Sequence, residues 1–536
     1  MSTFAKSNPR VFRCRVNISC QTAASTSQNG LAMSETELKY VVPEAAARAV
    51  DASLRRLGAR QVSIESRYFD CDDGRLAAAG ISLRLRRSAG RWEQTVKAPG
   101  RHAVERLEET VPRPGRWGAG GPGIDASLHF QTRAGALLQA TLQGEDPALA
   151  LLMQVCTTRV RRRAAEIDVG SSRVEVAFDR GTIVAGDRSL PICEVEYELE
   201  AGDPRALIEL ARAGVVAHGM WLSTLSKAAR GDAQARHAGK FAAVRARPPE
   251  LRRNMSADRL RLAIMKACVD QVSANASILA DGGLDDEVIH QLRVGLRRLR
   301  TAVRELDAVA GGSKPVWEVV IATLFGQLGD YRDRSIVADS MGHELAAAGS
   351  PEPVLRPVAA DIPDPVALLR GGGVQMALLE VVAESMPPSA RADAASVDSA
   401  ANAGHDAQGA LAARLDKLHG ALEKAAQRFQ HIDDNERHRV RKRLKRLRYL
   451  AELVGPLYAP RSVERYLAKL RPVQDALGVY IDLIVGIELA RENVAAGDAR
   501  AWFNVGWLSA QLPMGVKRCR KALEQAATAR PFWRRS

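Results

Sequence analysis

The sequence predicts a chain of two unlike halves: an antiparallel sheet or barrel with a few inserted helices, followed by a duplicated, all-helical half. Three observations predict it. From residue 38 to about 230, short alternating segments rich in Val, Ile, Leu and Arg are separated by Gly, Asp and Pro, the period-two signature of strands and turns. Beyond Asp258 the chain turns rich in Ala, Leu and Arg with helical period. There, His290-Gln-Leu-Arg293-Val-Gly-Leu-Arg297-Arg-Leu-Arg300 recurs 148 residues on as His438-Arg-Val-Arg441-Lys-Arg-Leu-Lys445-Arg-Leu-Arg448, and Leu328-Gly-x-x-x-Asp333 recurs as Leu477-Gly-x-x-x-Asp482. Two motifs at nearly one offset imply a duplicated unit.

Size and composition agree with this division. At about 150 residues per domain, 536 residues hold two to four domains. A net charge of +15 directs the protein toward polyanions. With 46% hydrophobic and 26% charged residues, wholesale disorder and a collagen-like fibre are excluded. No apolar run approaches the roughly 18 to 20 residues of a membrane span, so no membrane partner is expected. The seven cysteines form no C-x-x-C pair and the histidines no ligand cluster, which fits a reducing cytoplasm.

In chain order, residues 1–32 are Ser/Thr/Asn-rich without a signal-peptide core. They read as a disordered leader, with a transit peptide or a true start at Met33 as alternatives. Residues 44–57 and 203–213 have helical spacing between strands. The Ala/Arg/Pro-rich stretch that follows reads as a linker, 233–254. Loops are expected at 311–315, 349–365 and, as a long insertion, 387–409.

Glu35, Glu37 and Lys39 lie at i, i+2 and i+4, so on a strand they leave by one face. The same spacing recurs in Arg84 and Arg86, in Arg159 and Arg161, and in Glu194, Glu196 and Glu198. Solvent faces usually mix signs, whereas these strands are sorted into cationic and acidic. Clustered carboxylates call for a hard divalent cation. Clustered Arg and Lys call for a multiply charged anion such as phosphate.

With Tyr68-Phe-Asp, Gly80-Ile-Ser-Leu-Arg84-Leu-Arg86, Gln94-Thr-Val-Lys97, Glu175-Val-Ala-Phe-Asp179, Glu194-Val-Glu196-Tyr-Glu198 and Ser226-Lys227-Ala-Ala-Arg-Gly, residues 33–232 resemble the CYTH superfamily of triphosphate tunnel enzymes. The resemblance implies an eight-stranded antiparallel tunnel barrel. It makes Glu35, Glu37, Glu194, Glu196 and Glu198 ligands of Mg²⁺ or Mn²⁺. It makes Lys39, Arg84, Arg86, Lys97, Arg159, Arg161 and Lys227 the grip on triphosphate, with Lys39 and Glu37 catalytic. Glu108 faces either inward or to solvent.

On the helices, Leu292, Leu296, Leu299, Val303 and Leu306 form a buried seam. His290, Arg293, Arg297, Arg300 and Arg304 form a stripe about 100° away. The second repeat places His438, Arg441, Lys445 and Arg448 in the same way. Twelve basic and two acidic residues fall between Arg437 and Arg471. Like charges at i,i+4 cost a few tenths of a kcal/mol per pair, so the stripes anticipate an acidic ligand. No aromatic residue interleaves them for base stacking, which disfavours nucleic acid.

Residues 255–530 resemble the CHAD domain, which implies paired four-helix bundles and inorganic polyphosphate on His290, Arg293, Arg297, Arg300, His438, Arg441, Lys445 and Arg448. The expected protein is a bacterial inorganic triphosphatase of the cytoplasm, tethered to polyphosphate. The alternatives are a polyphosphate-binding protein without turnover, and a thiamine triphosphatase or adenylyl cyclase using the same tunnel.

Overall fold

The computed structural model describes residues 33–100, 105–115, 117–118, 121–142, 151–253, 255–310, 315–355, 364–386 and 400–534. The leader at 1–32, most of the loop at 311–315 and the first part of the insertion at 387–409 lie outside them. The chain forms two compact units: Met1–Ala242 with Arg370–Ser389, and Ala243–Leu369 with Ala390–Ser536.

Among the described residues the first unit is built on nine strands: β1 Met33–Val41, β2 Arg60–Asp70, β3 Ser82–Ser88, β4 Arg91–Pro99, β5 Glu105–Pro112, β6 Met153–Val169, β7 Ser172–Ala185, β8 Arg188–Ala201 and β9 Trp221–Leu222. Their order is β5-β4-β3-β2-β6-β7-β8-β1-β9, and β1 also pairs with β5. All these pairings are antiparallel. The ninth strand, beyond the eight expected, is a two-residue edge beside Tyr40 and Val41. Strand β1 divides its partners, giving 33–36 to β5 and 37–41 to β8, with Lys39 opposite Glu196.

Among the described residues before Ala242, five α-helices accompany these strands: α1 Glu44–Arg56, α2 Arg75–Ala78, α3 Arg133–Leu142, α4 Arg205–His218 and α5 Lys227–Arg236. Helices α2 and α3 cover one face of β3 and β4, where Leu76 and Leu138 pack on Leu83, Val96 and Ala98. Several quoted motif residues serve this packing. Asp70 accepts the amides of Leu76 (2.9 Å) and Ala77 (2.9 Å), fixing the start of α2. A Cβ on Gly231 would lie 2.1 Å from the Cys156 sulfur, so glycine lets α5 press onto β6.

The second unit is all-helical: α6 Ala257–Ala280, α7 Asp286–Ala310, α8 Trp317–Ala347 and α9 Pro365–Arg370 precede α10 Gly372–Glu384, which lies in the first unit, and α11 Ala400–Arg428, α12 Asp434–Val454, α13 Pro460–Ala495 and α14 Ala501–Ala527 follow. Residues 400–409, expected in a loop, open α11, where their Ala-rich composition favours helix. In chain order α6, α7 and α8 correspond to α11, α12 and α13. The counterpart of α14 is α10, so the described second unit keeps three long helices of the first repeat and four of the second. A core of Met341, Leu345, Leu483, Ile487 and Leu508 joins α8, α13 and α14.

The repeats are tied reciprocally. Arg298 approaches Glu452 (4.0 Å) and Arg446, its mate 148 residues on, approaches Glu305 (3.6 Å). Glu305 is fully buried and also binds Arg414 at 2.6 Å. Glu305→Ala should therefore destabilise the protein by about 2 kcal/mol, read from the denaturant midpoint. The loss is below that of a fully buried pair because both arginines can rehydrate.

Candidate functional site

One cavity in the first unit is lined from each of β1 to β8 and from the start of α5. Strand alternation sorts its walls. On β3, Leu83 and Leu85 are buried in the core, which turns Arg84 and Arg86 inward, beside Lys97 of β4 and Arg162 of β6. Opposite stand Glu37 and Lys39 of β1, Asp179 of β7, and Glu196 and Glu198 of β8. The two charge populations face one another across one space.

The ion pairs interlock. Glu108 bridges Arg84 (3.2 Å) and Lys97. Arg162 forks onto Asp179 (2.7 and 2.8 Å) and reaches Glu196. Lys227 lies 2.8 Å from Asp179, 2.5 Å from Glu194 and 2.8 Å from Glu196. Burial opposes its charge, but these carboxylates hold its ammonium well above the usual lysine range. Lys39, which donates to the Leu225 carbonyl, is pushed down by burial and by Lys227, against the pull of Glu194 and Glu196. Burial, with Arg84 and Arg162 beside it, brings Arg86 down to about 10.

Register produces a second acidic row. Glu37 pairs across strands with Glu198, and Glu198 with Glu175. Like charges directly opposite repel. Burial, then Glu37, Glu175 and Glu200, push the Glu198 carboxyl up to about 7 against the pull of Lys97.

Of the residues expected from sequence, Glu37, Lys39, Arg84, Arg86, Lys97, Glu196, Glu198 and Lys227 line this cavity. Glu194 is fully buried behind it, held by Lys227 and Arg230. Glu35 stands on β1 opposite Arg106, its side chain outside the described residues. Arg159 and Arg161 do not join: both are exposed, on the other face of β6. There Cys156 and Val160 take the inner positions, in an apolar cluster with Ala228 of α5. Sequence reasoning missed Arg162 and Asp179. The run Arg161-Arg162-Arg163 offers both strand parities, and Asp179 is in register with Glu194.

Asp179, Glu194 and Glu196 each offer a carboxylate oxygen within 4.8 Å of the others. This all-oxygen set suits a hard divalent cation. Arg162, Lys227 and Arg230 supply three cations to these three carboxylates.

In the second unit the stripes converge. The guanidinium carbons of Arg293, Arg297 and Arg300 lie 5.3, 4.7 and 5.8 Å from the Phe325 ring centroid. Arg293 donates to the carbonyls of Leu328 (3.4 Å) and Gly329 (3.3 Å). A Cβ at residue 329 would lie 3.1 Å from its guanidinium, a close approach that a shift of this flexible side chain would relieve. Arg300 pairs with Glu318 (3.0 Å), and Arg448 pairs with Glu452 (2.9 Å) and lies over Tyr449. Burial and the cations of Arg441 and Arg293 lower Arg297. Burial and then Lys442, Arg441, Lys445 and Arg297 lower His438, so the two stripes share one field. His290 is half-buried on α7. A separate cavity of about 400 Å³ is bordered by Arg304, Lys417, Lys424, Arg443 and Arg446.

A sheet that sorts carboxylates against cations around one cavity, joined to helices with facing basic stripes, defines a two-part protein built for anions. The chain joins a CYTH domain, whose family profile matches residues 33–231, to a CHAD domain, matched over 263–491. It is distantly homologous to the inorganic triphosphatase of Haemophilus influenzae: 27% identity over 167 residues, covering 31% of this chain and 44% of that protein. An uncharacterised protein of Mycobacterium tuberculosis is 27% identical over 251 residues, covering 45% of this chain and 47% of its own length. The chain thus spans less than half the length of these relatives. The crystal structure of a CHAD domain from the plant Ricinus communis is 26% identical, covers 53% of this chain and 97% of that chain, and superposes with a TM-score of 0.38. Among the described residues no helix is long and apolar enough to cross a membrane.

Proposed function

We propose that the first unit hydrolyses the terminal phosphoanhydride of inorganic triphosphate with Mg²⁺ or Mn²⁺, and that the second binds inorganic polyphosphate. The observation that carries this reading is the single cavity with cations on β3, β4 and β6 and carboxylates on β1, β7 and β8. The pairing of β1 with both β8 and β5 supports a closed, eight-stranded tunnel, and the name of the Haemophilus relative supports the substrate.

Arg84, Arg86, Arg162 and Lys97 would hold the chain oxygens, the guanidinium fork matching phosphate; Arg162 takes the place expected for Arg159 and Arg161. Glu37, Glu196 and Glu198 would hold the divalent cation, which supplies charge neutralisation and an acidified water. Lys39 stabilises charge on the transferring phosphoryl group. The water oxygen bonds to the terminal phosphorus as the bridging P–O bond breaks, and the water proton passes to Glu37 or Glu198. The products are orthophosphate and pyrophosphate.

The test is a panel of inorganic triphosphate, long-chain polyphosphate, ATP and thiamine triphosphate, each with and without metal. Metal-dependent orthophosphate release should be fastest from inorganic triphosphate. Turnover confined to an organic triphosphate reassigns the substrate, and binding without turnover makes the protein a holder of phosphate chains.

Polyphosphate binding should also respond to pH. His438 is neutral through its lowered pKa, and a bound polyanion raises that pKa. Binding therefore takes up a proton, and affinity should rise as pH falls from 7 toward 5. His438→Gln, compared by fluorescence titration, should flatten the rise.

A further inference from the structure

We infer that α10 braces the cavity of the first unit from behind, with Gln375 acting as a positioning residue for the segment that carries Lys227 and the carbonyl partner of Lys39. The inference rests on the triphosphatase reading above. In sequence α10 lies between the two helical repeats and inside the CHAD match at 263–491, yet it belongs to the compact unit of the sheet. Its Ala377, Leu378, Leu379, Val381 and Val382 are buried, and it packs on α4 and β9. Glu380 pairs with Arg212 of α4. Arg370, just before α10, holds its guanidinium 4.3 Å from the Trp221 ring centroid.

The decisive contact is at β9. Gln375 is 1% exposed and its side-chain oxygen accepts the Leu222 amide at 2.8 Å. Strand β9 is an edge. Its next amide, Ser223, donates to the Lys39 carbonyl at 2.9 Å, so by alternation the Leu222 amide points away from β1. A buried edge amide needs an acceptor, and α10 supplies it. From that anchor the chain runs directly into the site. The Leu225 carbonyl accepts from the Lys39 ammonium. Ser226 caps α5 by accepting the Ala229 amide at 3.0 Å. Lys227, the first residue of α5, holds Asp179, Glu194 and Glu196. Gln375 fixes the backbone from which both ammonium groups are set.

The test uses the full chain. Gln375→Leu removes the acceptor at similar size, Gln375→Asn withdraws it by one methylene while keeping a buried amide, and Gln375→Glu retains an acceptor. Steady-state hydrolysis of inorganic triphosphate with Mg²⁺ is read beside amide hydrogen exchange of residues 221–227 without substrate. The Leu and Asn variants should lower kcat about tenfold, with KM changed less than threefold, because misplaced groups act in the transition state more than in binding. Exchange at 221–227 should accelerate in both, and Gln375→Glu should restore both readouts. Glu380→Gln, on the same helix but remote from β9, should leave them unchanged. Wild-type kcat and exchange in either the Leu or the Asn variant overturn the inference, as does an equal loss in Glu380→Gln. If wild type hydrolyses no triphosphate while Gln375→Leu accelerates exchange, the clamp stands and the triphosphatase reading falls.

Discussion

Lys39→Ala should lower kcat for triphosphate hydrolysis by about a thousandfold at saturating Mg²⁺, the loss expected when a preorganised charge leaves a water-excluded site. Three features concentrate the effect there. Lys39 stands in register with Glu196 on the carboxylate wall. Its ammonium is fixed by the Leu225 carbonyl. Lys227, the other ammonium on that side, is already engaged by three carboxylates. Glu37→Gln should fall in the same direction. The arginines of β6 give the internal control. Arg162→Ala should cost about a hundredfold, whereas Arg159→Ala and Arg161→Ala should stay within about twofold, as exposed positions away from the chemistry do. Orthophosphate release by folded variants, checked by thermal melting, decides it. Robust turnover by Lys39→Ala and Glu37→Gln would remove the tunnel mechanism, and equal losses at residues 159, 161 and 162 would remove the inward assignment of Arg162.

That contrast marks where the sequence was legible. On β3 alternation sufficed, because the helices on its outer face demanded Leu83, and burial of Leu85 on the same face left the arginines one direction to take. On β6 the same rule points the wrong way. Its inner face meets α5 through Cys156 and Val160, so the apolar parity is the inner one and Arg159 and Arg161 meet water. Which face a helix covers is a tertiary fact that period-two alternation does not encode. The helical half shows the same boundary. Periodicity located the seams and stripes of α7 and α12, but the ring of Phe325 beneath three arginines comes from α8, outside either stripe. An apolar helix such as α10 announces that it will be buried, not against which unit.

Replacing Arg441, Lys445 and Arg448 by Ala should weaken polyphosphate binding at least about a hundredfold at 0.15 M salt and make it less salt-dependent. Each phosphate contact releases counterion, about 0.7 per contact on a flexible single-stranded polyanion, so three lost contacts reduce the slope of log K against log salt by about 2. The measurement belongs in a Lys39→Ala background, where the tunnel does not consume the probe. Arg439→Ala supplies the control, since Arg439 is 54% exposed and paired with Glu436 at 2.7 Å. Stability separates lost binding from lost fold. The charge of Arg441 helps lower Arg297 of the other repeat, and Arg441 and Lys445 help lower His438 on their own helix. The stripe therefore holds repulsion that an anion relieves, and Arg441→Gln with Lys445→Gln should leave the unliganded melting temperature unchanged or higher while affinity falls. A variant that loses affinity only by losing stability, or binding whose salt slope ignores all three substitutions, would show that the stripe is an incidental charged face rather than the site where the polymer lies.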